Sequence, residues 1–498
     1  MVDAANKSMN ESEAFDAGAE ALASGDCERG LSLLSPFIAG GTRNHGLWHL
    51  HGLLLRQMER RDEAIGSLRA AAKLAPASPK IAHALARTLF EAGLPSLEAY
   101  GNAIRLAPAD TEVLAGMTSA FTAEGEANSA ISGLERILSR SPHWVQGHAL
   151  LAKLRWAQGE RQGFARSFSP AAAAMPRNIG LWREWLVTLI HAEQWDEARR
   201  VIAEGRSAAG DDLVFAVNEA VVSAETGDFE SAEALFEPLA ELEDATLQVR
   251  RVRHYLRWGK PAEADSIISK WGARPEAFMF WPYASIAWRM LDDPRWNWLE
   301  GNEAFVGVYD IADRLPPLDL LADKLRGLHT LNGQPLEQSL RGGTQTEGDI
   351  FMHVDPVLVQ LREAIRATVA DHVAKFPEHD RRHPLLGPPR EPISFSGAWS
   401  VWLKSGGFHA NHVHPAGWIS SALYIVLPED LGREQSGYLT LGDPTSPTFQ
   451  LDLPPFRTIE PKPGRLALFP SYMWHGTRPF GEGERITVAF DVAVPQKG

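Results

Sequence analysis

The first half of the chain repeats a pattern of large and small apolar positions, and prolines divide it into segments of similar length. Pro76, Pro108, Pro142 and Pro176 are separated by 32, 34 and 34 residues. A repeat near 34 residues is the length of a unit of two helices, and a proline ends the second helix because it cannot continue it. The pattern therefore predicts a stack of helical hairpins.

Positions inside the units support this prediction. Large and small residues recur in the same order before Pro76 (Trp48, Gly52, Leu55, Ala64, Leu68 and Ala71) and before Pro142 (Leu114, Thr118, Phe121, Ala130, Leu134 and Ile137). Small residues let two helices approach, and large ones fill the space between them. Over residues 11–275 the chain resembles the tetratricopeptide repeat family. The resemblance implies a superhelix whose concave groove binds a protein or peptide; a purely architectural solenoid is the alternative.

The pattern changes after residue 275. Residues 276–300 are dense in tryptophan and proline, which indicates the end of the solenoid, and we predict a helical junction over 276–339. Further along, apolar residues recur every three or four positions, as on one face of a helix: Leu358, Leu361, Ile365, Val369 and Val373.

Beyond about residue 392 the chain consists of short β-type runs separated by glycine and proline. Several short strands of this kind are typical of a barrel or jelly roll. We therefore expect a multidomain α + β protein with a solenoid at 11–275, the junction, and a β domain at 340–498. Within that domain the polar segment 340–349 is predicted to be a loop near the mouth of a site.

A group of histidines lies in the β domain. His412 and His414 are two residues apart, so in a strand their side chains share a face and can chelate one metal ion. His475 follows 63 residues after His412, and Arg485 comes ten residues later. Arg485 offers a planar fork for a carboxylate, and Thr487 lies on the same side of the strand. Each residue alone would be ordinary, but together their spacing indicates a metal site.

These residues resemble the Fe(II)- and 2-oxoglutarate-dependent oxygenases of the double-stranded β-helix fold, in particular an H-x-H-P subfamily, over about residues 340–498. The matching pieces are His412-Val-His414-Pro415, Ser420-Ser-Ala-Leu-Tyr424, Gly464-Arg-Leu-Ala-Leu-Phe469-Pro470, His475 and Arg485. The resemblance implies that His412 and His475 bind Fe(II). It also implies that Arg485, with Thr487 beside it, holds the far carboxylate of 2-oxoglutarate. Tyr424 hydrogen-bonds the cosubstrate or is simply a core tyrosine.

The sequence departs from the wider family at His414, which stands where most members have a carboxylate. The usual site of two histidines and one carboxylate leaves positions open for cosubstrate and oxygen. As a third ligand His414 also fits Fe(II), but it leaves the site one negative charge short. Alternatively, His414 lies outside the coordination sphere and water or Asp443 completes it, although Asp443-Pro444 is more simply a turn. His409 is assigned to the surface or to the surroundings of the site.

The resemblance implies an enzyme that hydroxylates a protein or peptide held by the repeats. Such an enzyme decarboxylates 2-oxoglutarate oxidatively to succinate and carbon dioxide. Two alternatives stay open. One is an interaction scaffold whose barrel has lost its chemistry, and the other is a three-histidine dioxygenase that acts on small molecules without 2-oxoglutarate.

Composition narrows the choice of partners and compartment. The chain has 49 Lys and Arg against 63 Asp and Glu, a net charge of −14, and both nucleic acid and anionic membranes require basic surface. The one cysteine, Cys27, excludes four-cysteine zinc sites and Fe–S clusters and favours a reducing compartment. No secretory signal or long apolar stretch is visible. We expect a cytoplasmic protein that binds neither nucleic acid nor membrane.

Overall fold

The computed structural model describes residues 9–432, 434–446 and 449–496. Helices occupy the first part of the chain and antiparallel strands dominate the last part, which confirms the α + β organisation predicted from the sequence. None of the helices in these ranges combines the length and the apolar character that a membrane crossing needs.

The described residues divide into two compact units. The first contains the residues up to Ala130 together with Glu347–Val359, and the second contains Ile131–Thr346 and the residues from Gln360 onwards. The domain boundaries predicted at residues 275 and 339 stay predictions.

The first unit consists of helices joined by short turns, each packed against the next. They are α1 (Glu11–Ser24), α2 (Cys27–Ala39), α3 (His45–Gln57), α4 (Arg61–Leu74), α5 (Pro79–Glu91), α6 (Leu97–Leu106), α7 (Thr111–Ala123) and the start of α8 (Ala127–Arg140). Asn10 begins α1 with a capping box that satisfies free N–H groups of the first turn. A Cβ atom on Gly52 would lie 2.7 Å from Cγ of Leu68, so α3 and α4 pack closely only because residue 52 has no side chain.

The second unit contains further helices, several of which pack in consecutive pairs. They are α9 (Val145–Ala157), α10 (Phe168–Ala174), α11 (Ile179–His191), α12 (Trp195–Ala209), α13 (Leu213–Glu225), α14 (Phe229–Phe236), α15 (Ala245–Arg257), α16 (Pro261–Trp271), α17 (Trp281–Met290), α18 (Arg295–Leu299) and α19 (Leu318–Arg326). Trp182, Trp185 and Phe215 are buried together in their core. The next helix, α20 (Pro356–Val373), buries all five apolar residues of the predicted face, which confirms that prediction.

Two antiparallel sheets form the C-terminal β domain. The strands are β1 (Gly307–Asp310), β2 (Leu340–Gln345), β3 (Phe395–His409), β4 (Ile419–Val426), β5 (Leu439–Leu441), β6 (Arg457–Ile459), β7 (Arg465–Pro470), β8 (His475–Thr477) and β9 (Glu484–Val492). The order is β1-β7-β4-β9-β3-β2 in the large sheet and β6-β5-β8 in the small one. Leu439, Leu441 and Ile459 of the small sheet pack with Ala467 and Phe469 of the large one. This two-layer arrangement is the predicted double-stranded β-helix.

One prediction about the β domain is wrong. Residues 340–345 form the edge strand β2 rather than a loop, and β2 pairs with β3 through a register shift between Arg341 and Gly343. Gly342 has a φ of 77°, and a Cβ atom on Gly343 would lie 2.3 Å from the carbonyl oxygen of Trp402. The glycines that suggested a loop are therefore required by a bulge and by close strand pairing.

Candidate metal and cosubstrate site

Three histidines meet where the chain leaves β3 and runs alongside β8. His412 and His475 form an antiparallel bridge in which the main-chain N–H of each donates to the carbonyl oxygen of the other, at 2.9 and 3.0 Å. The N–H of His414 donates to the carbonyl oxygen of Ser471 at 2.9 Å. These main-chain bonds bring together three side chains that are far apart in the sequence.

Each imidazole is held through its Nδ1 atom. In His412 and His475 this atom lies 2.9 Å from the carbonyl oxygen two residues earlier in the chain. In His414 it lies 2.7 Å from Oδ2 of Asp491. Carbonyl and carboxylate oxygens only accept hydrogen bonds, so each Nδ1 carries a proton and Nε2 is the ring nitrogen left to bind a metal.

The three rings fit a single metal ion. One potential ligand atom from each ring lies within 4.8 Å of the other two, and the ring centroids are 4.2 to 5.2 Å apart. Nitrogens bound to one ion at the usual metal–imidazole distance are at most about 4.2 Å apart. The ligand atoms are therefore close to the spacing that one ion requires, and imidazole nitrogens suit divalent iron.

Burial keeps His412 and His475 neutral. Loss of solvent is the main cause that lowers the pKa of His412 and His475 well below the usual value for histidine, and repulsion from neighbouring imidazoles lowers it further. The same causes, together with Arg485, lower the pKa of His409 to about 3. A metal ligand must be deprotonated, so His412 and His475 are ready to bind a cation at neutral pH.

Arg485 is fully buried in the same cavity, and no carboxylate of the described residues pairs with it. Its Nη1 donates to the carbonyl oxygen of Gly437 at 3.2 Å and its Nη2 to Oγ1 of Thr477 at 2.9 Å, while its Nε has no hydrogen-bond partner in the described structure. Burial lowers the pKa of Arg485. A buried guanidinium without a counter-ion is unfavourable by itself, so this arrangement fits a site for an anionic ligand.

Tyr424 and Thr487 lie beside the guanidinium. The two residues are paired across β4 and β9, and both line a cavity of about 570 Å³ with the three histidines and Arg485. The hydroxyl of Tyr424 is buried and has no hydrogen-bond partner in the described structure. Burial raises its pKa, so it is a neutral donor. The structure thus brings every predicted site residue to one cavity, and their roles stay predictions.

Ser339 and Thr477 also belong to the site, although neither is among the predicted site residues. Oγ of Ser339 lies 3.1 Å from Nδ1 of His409 and 3.2 Å from Nε2 of His412. Oγ1 of Thr477 accepts both from Arg485 and from the main-chain N–H of His409, at 2.9 Å. Thr477 is two residues after His475 on β8, so strand alternation could have placed both side chains on one face. Ser339 precedes the edge strand β2, and no local pattern marks it.

Asp491 is the other residue that sequence analysis missed. It follows Arg485, Thr487 and Ala489 at intervals of two on β9, so this alternation could have placed its side chain on the cavity face. Asp443, in contrast, is not part of the histidine cluster, and its Oδ1 accepts from the N–H of Thr445 at 2.8 Å as in a turn.

Comparison with known families agrees with this description. Residues 397–491 match the family model described as "Putative 2OG-Fe(II) oxygenase", a segment that contains every predicted site residue. This segment of the chain is therefore similar to this oxygenase family, as the resemblance predicted, and helices of the repeat type precede it.

Solved structures with similar helical regions are distant. MamA is 18% identical over 32% of this chain and 90% of its own, with a TM-score of 0.30. A tetratricopeptide repeat protein from Parabacteroides merdae is 16% identical over 48% and 96% of the two chains, with a TM-score of 0.31. The P58(IPK) TPR domain is 15% identical over 57% and 89%, with a TM-score of 0.21. No curated protein sequence matches the chain.

Proposed function

We propose that the protein is an Fe(II)- and 2-oxoglutarate-dependent oxygenase that hydroxylates a protein or peptide substrate recruited by the helical repeats. One observation carries the proposal. Three imidazoles whose ligand nitrogens lie within 4.8 Å of one another share a cavity with a fully buried Arg485 that has no carboxylate partner among the described residues. A divalent cation and a dicarboxylate would complete both halves of this cavity.

Each residue has a distinct task in this proposal. His412, His414 and His475 hold the metal, which when loaded supplies the redox chemistry that couples decarboxylation of the keto acid to hydroxylation. Arg485 binds the far carboxylate, since its Nε is free of other partners, and Thr477 fixes the orientation of the guanidinium. Tyr424 donates its hydroxyl hydrogen to the cosubstrate. Phe469 and Leu439 line the cavity and limit the access of water.

An anaerobic titration tests the site. Addition of Fe(II) and then 2-oxoglutarate to the full chain is expected to give a visible charge-transfer band. His475→Ala removes the band because the metal is lost. Arg485→Met weakens 2-oxoglutarate binding by about 100-fold, since a buried charge pair contributes several kcal/mol, while metal binding persists.

Arg465→Met is the matched control for Arg485→Met. Arg465 is also a strand arginine of the large sheet, but it is paired with Asp310 and lies outside the cavity. We expect the control to keep the band. Absence of the band with every divalent metal in the unmodified chain would contradict the proposal and support the scaffold alternative. Turnover without succinate would support the three-histidine dioxygenase that does not use 2-oxoglutarate.

The helical region next to the cavity supports a polypeptide substrate. Helices α11, α13 and α15 line a groove of about 1180 Å³, and its aliphatic lining includes Val217, Leu213 and Leu242. Leu213 is 51% exposed and Leu242 is 38% exposed, so apolar surface is open there. His191 lines both this groove and a wider opening of about 1390 Å³ that reaches His412 and His414. A chain in the groove can therefore extend to the metal site.

Leu213→Asp tests recruitment by the groove. The exposed leucine lies in the first turn of α13, where an acidic residue is tolerated, so folding is preserved. We expect lower hydroxylation of cell proteins, measured by mass spectrometry as a gain of one oxygen, with unchanged 2-oxoglutarate binding. Leu320→Asp is the control, because Leu320 is 52% exposed in the first turn of α19, away from the groove. Equal hydroxylation by both variants would contradict recruitment by the groove.

We also propose a cytoplasmic location. Its support is the single cysteine, Cys27, which is buried and unpaired, as expected in a reducing compartment. Fractionation of cells that express the full chain tests this, and recovery in an oxidising compartment would contradict it.

A further inference from the structure

We infer that Asp491 is the positioning residue of the metal site and that it supplies, through His414, the negative charge that a three-histidine set lacks. The inference rests on the proposed function, because it assigns a role to the residue behind a proposed ligand. It also explains how His414 can stand where most members of the family have a carboxylate.

The contact between the two side chains is direct. Both carboxylate oxygens of Asp491 lie close to Nδ1 of His414, Oδ2 at 2.7 Å and Oδ1 at 2.9 Å. The two side chains are 15% and 23% exposed, so water screens the interaction only partly. The carboxylate fixes the ring with hydrogen on Nδ1 and with Nε2 facing the other histidines. It also makes the ring a stronger donor to a metal.

His414 differs in this respect from the other two histidines. The Nδ1 atoms of His412 and His475 are held by neutral main-chain carbonyls, so only His414 has an anionic partner among the three. The one carboxylate therefore lies behind the one imidazole that replaces a carboxylate. Its charge acts on the metal through the ring instead of by direct ligation.

The orientation of Asp491 is itself fixed. Oγ of Ser420, a buried residue of β4, donates to Oδ1 of Asp491 at 2.6 Å and lies 2.9 Å from Oγ of Ser471. The main-chain carbonyl of Ser471 in turn accepts from the N–H of His414. Two neighbouring strands thus hold both the carboxylate and the ring, which is the support that a metal site requires.

Metal affinity of the full chain tests the inference without reference to turnover. Calorimetric titration with Co(II) is expected to show about 10- to 100-fold weaker binding for Asp491→Asn, together with a change in the visible Co(II) spectrum. Asp443→Asn is the matched control, since Asp443 is the nearby acidic residue that only stabilises a turn. It is expected to leave affinity and spectrum unchanged.

The same substitution in a His414→Asp variant distinguishes a role of Asp491 in supplying negative charge from a purely structural role. In His414→Asp a carboxylate faces the metal directly, and Asp491 becomes a nearby like charge. Asp491→Asn is then expected to leave Co(II) affinity unchanged or to raise it. A structural role predicts the same loss in both backgrounds, and that result would overturn the inference.

The remaining outcomes are also decisive. Unchanged Co(II) affinity in Asp491→Asn overturns the inference and leaves the proposed function intact, whereas an unmodified chain that binds no divalent metal overturns both. If Asp491→Asn does not fold, Ser420→Ala takes its place, because it removes one of the hydrogen bonds that orient the carboxylate. It is expected to weaken Co(II) binding by about 3- to 10-fold, and no change in that variant overturns the inference.

Discussion

The helical region and the cavity of the β domain each contain a buried arginine, and the surroundings of the two arginines differ. Arg253 of α15 is 12% exposed, and its Nε and Nη2 donate to the two carboxylate oxygens of Glu225 in α13 at 2.6 and 3.2 Å. Arg485 of the β domain is buried more completely, and among the described residues its hydrogen-bond partners are a carbonyl and a hydroxyl. In the helical region a carboxylate therefore neutralises the buried arginine, whereas in the cavity no carboxylate of the described residues does so.

The pKa values of the two arginines shift in opposite directions. Burial alone would lower the pKa of Arg253, but Glu225 raises it above its usual value. Burial lowers the pKa of Arg485, and no carboxylate of the described residues opposes that effect. A compensated buried charge indicates a structural pair, and an uncompensated one indicates a place for a ligand of opposite charge. Four predictions test this rule, beginning with the largest expected effect.

Removal of the compensating carboxylate should destabilise the helical region strongly. Glu225→Gln removes the carboxylate that pairs with the buried Arg253 and Arg257, which costs about 3–5 kcal/mol of unfolding free energy. Urea unfolding followed by circular dichroism measures this. Glu219→Gln, on the same helix, breaks a half-exposed pair with Arg206 and should cost at most about 1 kcal/mol. Equal losses of stability in the two variants would contradict this prediction.

Replacement of the uncompensated arginine should have the opposite sign. Arg485→Met removes a buried charge and keeps most of the volume, so we expect the free energy of unfolding to rise by about 1–4 kcal/mol. Arg465→Met, which breaks the pair with Asp310, should lower it by at most about 1 kcal/mol. Urea unfolding in the absence of 2-oxoglutarate measures the free energy of unfolding of both variants. A clear loss of stability in Arg485→Met would show that the guanidinium is structural.

Acid should destabilise the molecule through a buried imidazole. His372 of α20 is 1% exposed, and burial lowers its pKa to about 4 in the folded state from about 6.5 when unfolded. The folded state disfavours protonation of His372. The stability that the neutral ring contributes is therefore complete above pH 6.5 and is lost as pH falls towards 4. Linkage gives about 2 kcal/mol lost between pH 7.5 and 5.0.

His372→Phe isolates this contribution. It removes the titrating ring, although it also removes the 3.0 Å hydrogen bond between Nδ1 of His372 and the hydroxyl of Tyr309. The variant should therefore be less stable at pH 7.5 but should show a smaller loss on acidification, measured from urea midpoints at the two pH values. An unchanged pH dependence would mean that the ring is already charged in the folded state.

The repetitive and local features were those that the sequence could predict. The spacing of prolines and the recurrence of small and large residues such as Gly52 and Leu68 predicted helical hairpins, and the regular face of α20 predicted one buried helix. Strand β2 was missed, because its glycines serve a bulge and a close strand pairing that involve a partner 60 residues away. Local composition does not report such pairings.

The site was predictable where its residues have a fixed order and was missed where they meet only in space. His412, His414, His475 and Arg485 follow a familiar spacing, so their grouping could be predicted. Ser339 reaches the cavity through strand pairing alone, and a lone hydroxyl residue carries no signal. Thr477 could have been placed there only by its alternation with His475 on β8. The absence of a carboxylate partner for Arg485 among the described residues is likewise a property of the packed fold.

The smallest predicted effect concerns the hydroxyl of Tyr424, which extends the comparison from charged to neutral groups. It is buried with no partner in the described structure, whereas the hydroxyl of Tyr255 in α15 donates to Glu233 at 2.8 Å. Tyr424→Phe should leave stability unchanged or slightly higher, because it removes an unsatisfied polar group. It should weaken 2-oxoglutarate binding by about 5- to 10-fold, the contribution of one hydrogen bond.

Tyr255→Phe is expected to affect stability instead of 2-oxoglutarate binding. The substitution leaves 2-oxoglutarate binding unchanged, because Tyr255 is not part of the cavity lining, and lowers stability by about 1 kcal/mol through loss of a satisfied hydrogen bond. Titration of the charge-transfer band gives the affinities, and urea unfolding gives the stabilities. If Tyr424→Phe lowers stability and leaves affinity unchanged, Tyr424 is a core residue, and the rule that unsatisfied buried groups mark the ligand site holds for charges alone.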